Sequence, residues 1–245
     1  MKDSMKPTLR TIPQKTQRFF EKYIMAMVNF YGRITLKDAF DTIQYQNDAS
    51  YNYDIFVAYV KKRRQEIIDS GKDYHHYLIF LPSDIDPGVD DDPHKIEFLH
   101  EVFGELDDDY DDLVTYQQMY PRYIPKKNDL LRYADDDYLP DTDELRTAVD
   151  WVLDHQKADL PFKLTYADVA TELLLPMMME SDANSSAADI LKWVEFPKER
   201  KAQLQAMKEL ADLILDLNNH TRSWLLHGHT PIEVSLNTSV LPKSP

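Results

Sequence analysis

Polar chemistry concentrates near one end of the chain, in Asn218-Asn219-His220-Thr221-Arg222-Ser223-Trp224-Leu225-Leu226-His227-Gly228-His229-Thr230-Pro231. Imidazole is the commonest metal-binding side chain, and a zinc ion takes three or four such ligands. His220, His227 and His229 are therefore the candidate metal set, and a metal-dependent enzyme is the alternative they carry. Two motif tests weaken it. His227-Gly228-His229-Thr230-Pro231 has no acid two positions beyond its second histidine, as an HxHxD metallohydrolase would. His100-Glu101-Val102-Phe103-Gly104 begins like HExxH but puts glycine where the second ligand belongs. The competing reading is a structural lock built on the polar cluster Asn218, Arg222 and Trp224. Thr230-Pro231-Ile232-Glu233 reads as a capping box with proline at the first helical position. Upstream, Leu204, Met207, Ala211, Ile214 and Asn218 follow a 3-4-3-4 spacing that predicts an inward stripe ending in a buried amide. On that reading His227 and His229 are dispensable together.

A second constellation is Lys61-Lys62-Arg63-Arg64 beside Tyr51, Tyr53 and Tyr59. Basic side chains supply phosphate affinity and aromatic rings stack on bases, so this is the candidate nucleic-acid-binding set. The same residues also suit a core face and a helix end, where cations favour the dipole. The acidic run Asp107-Asp108-Asp109-Tyr110-Asp111-Asp112 does not fit the calcium-loop spacing and reads as a solvated helix start.

Other chemistries are excluded outright. Without cysteine there is no thiol nucleophile, disulfide, Cys-type zinc site or iron–sulfur cluster. The five glycines are too far apart for GxGxxG or a P-loop, and there is no G-x-S-x-G elbow. No cofactor is expected, and a non-enzymatic protein is the favoured reading.

The elements that position these residues follow from periodicity and punctuation. Helices are expected at Gln14–Phe30 (ended by Gly32), at Leu36–Gln44 (capped by Thr35), and at Tyr53–Asp69 with Ile55, Phe56, Tyr59 and Val60 inward. Tyr74–Leu81 is the best strand, stopped by Pro82. Three helices followed by a strand resemble a winged helix, with the third helix in the recognition position. Residues 83–93, rich in Asp, Pro and Gly, form a linker. Further helices are expected at 94–103, 109–119, 126–134, 141–155, 166–180 (split or kinked at Pro176), 185–194 and 198–217. The fold class is thus mainly α (α+β). Residues 1–82 form a small winged-helix-like module with a basic N-terminal arm, and residues 94–245 an all-helical acidic domain.

Charge follows the same division. Residues 1–82 carry 13 Lys/Arg against 9 Asp/Glu, and the rest 15 against 34, within a net charge of −15. Residues 1–82 are thus the expected nucleic-acid contact, and the acidic half is expected to meet a protein partner or to mimic nucleic-acid charge. No apolar run is long enough to span a bilayer. Residues 1–17 lack the apolar segment of a secretory signal, so no membrane association and a cytoplasmic location are expected.

Two blocks carry a family resemblance. Tyr123-Ile124-Pro125-Lys126 through Leu130-Leu131-Arg132-Tyr133-Ala134-Asp135 to Tyr138 resembles a "Y-x-P-K…LL-x-Y-A-D…Y" pattern. Asn218-Asn219-His220-Thr221-Arg222 with Gly228-His229-Thr230-Pro231 is similar to an "NN-x-TR…GHTP" pattern. With the Phe30-Tyr31-Gly32 turn, these resemble a family of bacterial proteins without an assigned activity, some of which end in a cysteine-rich zinc tail of the SEC-C type. The resemblance implies a cytoplasmic bacterial protein. Zinc binding of the SEC-C kind does not carry over to a chain without cysteine.

Overall fold

In a computed structural model, the described residues are 12–48, 51–70, 77–81, 92–103, 108–135, 137–180 and 183–236. They form two compact units, one drawn from Met1–Tyr110 and Ile124–Asp136, the other from Asp111–Tyr123 and Asp137–Pro245. The basic arm before Thr11, residues 83–91 of the linker and residues 74–76 of the expected strand lie outside the described residues.

The first unit begins with α1 (Gln14–Tyr31), whose Phe20, Tyr23 and Met27 are fully buried. Gly32 ends it at φ 71°, a left-handed conformation that glycine adopts without steric cost. After β1 (Arg33–Thr35), the Thr35 hydroxyl accepts the Asp38 N–H at 3.1 Å and caps α2 (Leu36–Gln46). Helix α3 (Tyr53–Ser70) buries Phe56, Tyr59 and Val60, while Ile55 is half-buried. Strand β2 follows (Tyr77–Phe80).

The helix expected at 94–103 is not formed. Short 3-10 turns at Pro93–Lys95 and Glu101–Phe103 flank a strand, β3 (Glu97–His100). Ile96, Leu99 and Phe103 sit at helical spacing, which made a helix plausible, but Phe98 and Leu99 are both buried, as a strand covered on two faces requires. β3 is the central strand of an antiparallel sheet ordered β1-β3-β2, with Ile34 and Ile79 both registered on Phe98. The series α1-β1-α2-α3-β2-β3, with the last strand between the other two, is the order of a winged helix.

Residues 124–136 return to this unit. The single helix expected at 126–134 is two short turns: α5 (Lys127–Leu130) and a 3-10 turn, Leu131–Ala134. They are tied to α1 by the Asn29 amide donating to the Tyr133 carbonyl at 2.8 Å and by an edge-on Phe30–Tyr133 ring pair. Gln46 of α2 donates to the Pro125 carbonyl at 2.8 Å.

The second unit is helical. It takes the later part of α4 (Asp108–Met119), then α6 (Asp143–Asp154), α7 (Tyr166–Glu180), α8 (Ala183–Trp193), α9 (Arg200–His220) and α10 (Pro231–Leu236). Pro176 lies inside α7 without splitting it. The core joins Leu145, Val149 and Val152 of α6 to Leu173 and Met177 of α7 and Ile190 of α8. α9 contributes Ala206, Leu210, Ile214 and Leu217, with Asn218 also buried. The predicted stripe is thus turned: Leu204, Met207 and Ala211 face solvent. This helix has apolar residues on two faces, and packing against α6 and α8 selected the other one. Among the described residues, no helix is long and apolar enough to cross a membrane.

Leu130 is fully buried and Leu131 only half-buried. In urea unfolding Leu130→Ala should cost about 2–5 kcal/mol, the range for an emptied core position. Leu131→Ala should cost clearly less, and the reverse order would show that the return segment docks by its other side.

Candidate functional site

The C-terminal cluster is built inside the second unit at the end of α9. Beyond it the chain makes one helical turn and closes it by a 6→1 bond, Gly228 N–H to Ser223 carbonyl at 2.9 Å, around a bond from His227 N–H to the Trp224 carbonyl at 3.0 Å. This is a Schellman arrangement, and it puts His227 at φ 53° in the left-handed position usually given to glycine. Gly228, at φ 85°, follows it. Trp224 is buried: its N–H donates to the Met178 carbonyl at 2.7 Å, and its carbonyl accepts from Gln117 Nε2 at 3.1 Å.

Arg222 is the hub of the side-chain chemistry. Its guanidinium pairs with Glu233, donates to the Gly228 carbonyl at 3.2 Å and lies 3.9 Å above the centre of the Tyr123 ring. Glu233 also accepts the Thr230 N–H at 3.1 Å while donating its own N–H to the Thr230 hydroxyl at 3.2 Å, which completes the expected capping box. Burial works against ionisation of Glu233. The Arg222 hydrogen bond, the Thr230 N–H and the Arg222 charge outweigh it and hold the carboxyl below its ordinary range.

The expected lock is present with different members. Arg222 engages α10 through Glu233, whereas the Asn218 side-chain oxygen is buried without a hydrogen-bond partner among the described residues. The histidines also differ from expectation. His227 Nδ1 lies 3.2 Å from the Tyr120 carbonyl and His229 Nε2 2.9 Å from the Pro121 carbonyl. A carbonyl only accepts, so both nitrogens carry protons. The two rings fasten residues 120–121 to the turn. His220 is exposed on α9, with Nδ1 2.9 Å from the Asp216 carbonyl. Among the described residues, no three His, Cys, Asp or Glu side chains gather as a metal-binding group. Sequence reasoning missed Tyr123 and Gln117, which lie some hundred positions from their partners and carry no local signal.

The basic residues of α3 are separated by the helix. Lys62 pairs with Glu66 at 3.1 Å, and Arg63 pairs with Glu21 of α1 at 3.1 Å. Glu21 also accepts from the Tyr59 and Tyr77 hydroxyls, the latter at 2.9 Å, so one carboxylate joins α1, α3 and β2. Burial, helped by the charge of Glu21, pushes both phenols up and keeps them neutral. Arg64 is half-buried, and Lys61 alone of the four is exposed. The neighbouring Tyr51 and Tyr53 are half-buried against other rings: Tyr51 stacks on Phe19 and Tyr53 meets Phe40 edge-on. Nor is the first unit basic. Its two segments carry 17 Lys/Arg against 23 Asp/Glu, because residues 83–110 bring in many acids.

An open groove of about 470 Å³ in the second unit runs between Phe162, Ala167, Asp168, Thr171, Glu172 and Trp193. Its acids serve structure. Asp168 accepts the Thr165 N–H and hydroxyl at the start of α7, and burial together with Asp189 raises Glu172.

No protein-family model, curated protein or solved structure matches the chain.

Two outcomes follow from the turn. His227→Ala loses the Tyr120 bond and keeps the left-handed backbone, whereas His227→Gly loses the bond and sheds a cost of about 1 kcal/mol. The glycine variant should therefore be the more stable of the two by about that amount in urea. Equal stabilities would show that the backbone there is unstrained. Because the Glu233 carboxyl is held below its ordinary 4.5, it stabilises the fold at neutral pH, and that contribution fades as the pH falls through and below 4.5. Glu233→Gln should flatten this acid-side loss in melting curves, and unchanged pH dependence would mean the Arg222 pair adds nothing.

Proposed function

We propose that this is a binding or regulatory protein without catalysis of its own, and that its winged-helix-ordered unit is the module that contacts a macromolecular partner. The observation that carries the reading is the element order α1-β1-α2-α3-β2-β3 with the sheet order β1-β3-β2. It is an argument from architecture, since winged helices serve as contact modules and carry no reactive groups by virtue of the fold. Its support from side chains is that the groups best suited to chemistry, Arg222, His227, His229 and Glu233, are spent on one another and on backbone carbonyls.

The charge of the unit favours a protein partner over nucleic acid. Phosphate binding draws on unpaired cations, whereas Lys62 and Arg63 are ion-paired and the unit as a whole is acidic. A cytoplasmic bacterial setting, implied by the resemblance in the Tyr123–Tyr138 and Asn218–Pro231 blocks, belongs to the same proposal.

A photo-crosslinking amino acid at position 61 tests it. In living bacterial cells the Lys61 position should give a protein adduct, while the same residue at exposed Lys192 should not. Absence of an adduct at position 61 would count against a contact role for α3. Fluorescence anisotropy of the full chain with labelled DNA and RNA at low salt separates the two partner classes. Salt-sensitive binding abolished by Lys61→Glu would assign the unit to nucleic acid instead.

A further inference from the structure

Helix α9 has an outward face that a solvated helix would not carry. Leu204 is 59% exposed, Met207 44% and Leu215 55%, with exposed Ala211 between them. These four lie along one stripe at helical spacing, about a third of a turn from the buried side formed by Ala206, Leu210 and Leu217. The opposite face of a surface helix is ordinarily polar.

The charges beside this stripe are ordered along the helix. Arg200, Lys201 and Lys208 occupy its first half, and Asp212 and Asp216 its second. Glu199 caps the helix by accepting the Lys201 and Ala202 N–H groups, and the first turn beyond it carries bases where the dipole favours acids. The Lys208–Asp212 pair, with the base N-terminal to the acid, also has the weaker orientation for such a pair. Within one copy Lys208 meets Asp212 on its own helix. When a second copy lies antiparallel, each basic half faces an acidic half.

We infer that the exposed face of α9 is a self-association surface, on which α9 of a second copy packs antiparallel. With the two-fold axis near Glu209 and Leu210, Leu204 lies opposite the partner's Leu215, and Met207 beside the partner's Ala211. The two-fold brings the same flank of both helices together, so Lys208 reaches the partner's Asp212 and Lys201 approaches the partner's Asp216. One helix face is a small interface, so the dimer is weak and concentration-dependent.

Sedimentation equilibrium of the full chain from about 1 µM to about 1 mM tests this. The wild type should pass from monomer to dimer within that range, and Leu204→Gln with Leu215→Gln should remain monomeric. Two charge exchanges probe the orientation: Lys201→Glu with Lys208→Glu in one protein, and Asp212→Lys with Asp216→Lys in another. Each sets like charges four residues apart on an exposed face, a cost too small to unfold the chain, and circular dichroism verifies folding. Each exchanged protein should be monomeric alone, and an equimolar mixture should form a dimer containing one of each. A wild type that stays monomeric throughout would overturn the inference. So would a dimer indifferent to the leucine substitutions, or exchanged proteins that fail to pair when mixed.

Discussion

Strand β3 is the constraint on which the first unit rests. β1 and β2 do not pair with each other, so every strand-to-strand hydrogen bond of the sheet runs through Glu97–His100. Bonds at its ends extend the hold: the Leu36 N–H donates to the Ile96 carbonyl and the His100 N–H to the Gly32 carbonyl, both at 2.8 Å. Glu97 adds a side-chain clasp, pairing with Arg33 of β1 and accepting the Tyr110 hydroxyl at 2.8 Å. Burial and the Glu97 charge push that phenol up to about 12, so it stays a donor at neutral pH. The left-handed Gly32 both ends α1 and presents the carbonyl that β3 needs.

The second unit spends its polar residues in the same way. A turn rich in histidine, arginine and amide looks like a reactive site because such groups are costly to bury. Here they are affordable because nearly every one meets a partner: the histidine rings meet carbonyls, and Arg222 meets a carboxylate, a carbonyl and an aromatic face. The exception is the Asn218 oxygen, buried at the point where α9 ends. Through Arg222 and Glu233 the cluster ties the end of α9 to the start of α10.

The two units thus expose different kinds of surface. The first presents α3, where Lys62 and Arg63 are held in ion pairs with Glu66 and Glu21. The second presents α9, whose outward side carries the exposed Leu204, Met207 and Leu215.

Local signals in the sequence determined much of this. Thr35, Gly32 and the Thr230–Glu233 box set helix ends through bonds spanning a few residues, so the pattern alone placed them. The mainly helical fold class was legible for the same reason, and so was the series of three helices before Tyr77–Phe80. What needed the tertiary structure was every choice between two locally acceptable answers. Ile96–Phe103 suits a helix or a strand, and two waiting edges made Glu97–His100 a strand. Helix α9 has two apolar faces, and its neighbours decided which was buried. Lys62 and Arg63 are cations in the sequence and ion-pair members in the fold, because Glu66 and Glu21 reach them only once α3 forms and packs on α1. Tyr123 joins Arg222 for the same reason: a contact across a hundred residues depends on where the chain returns, and no local periodicity encodes that.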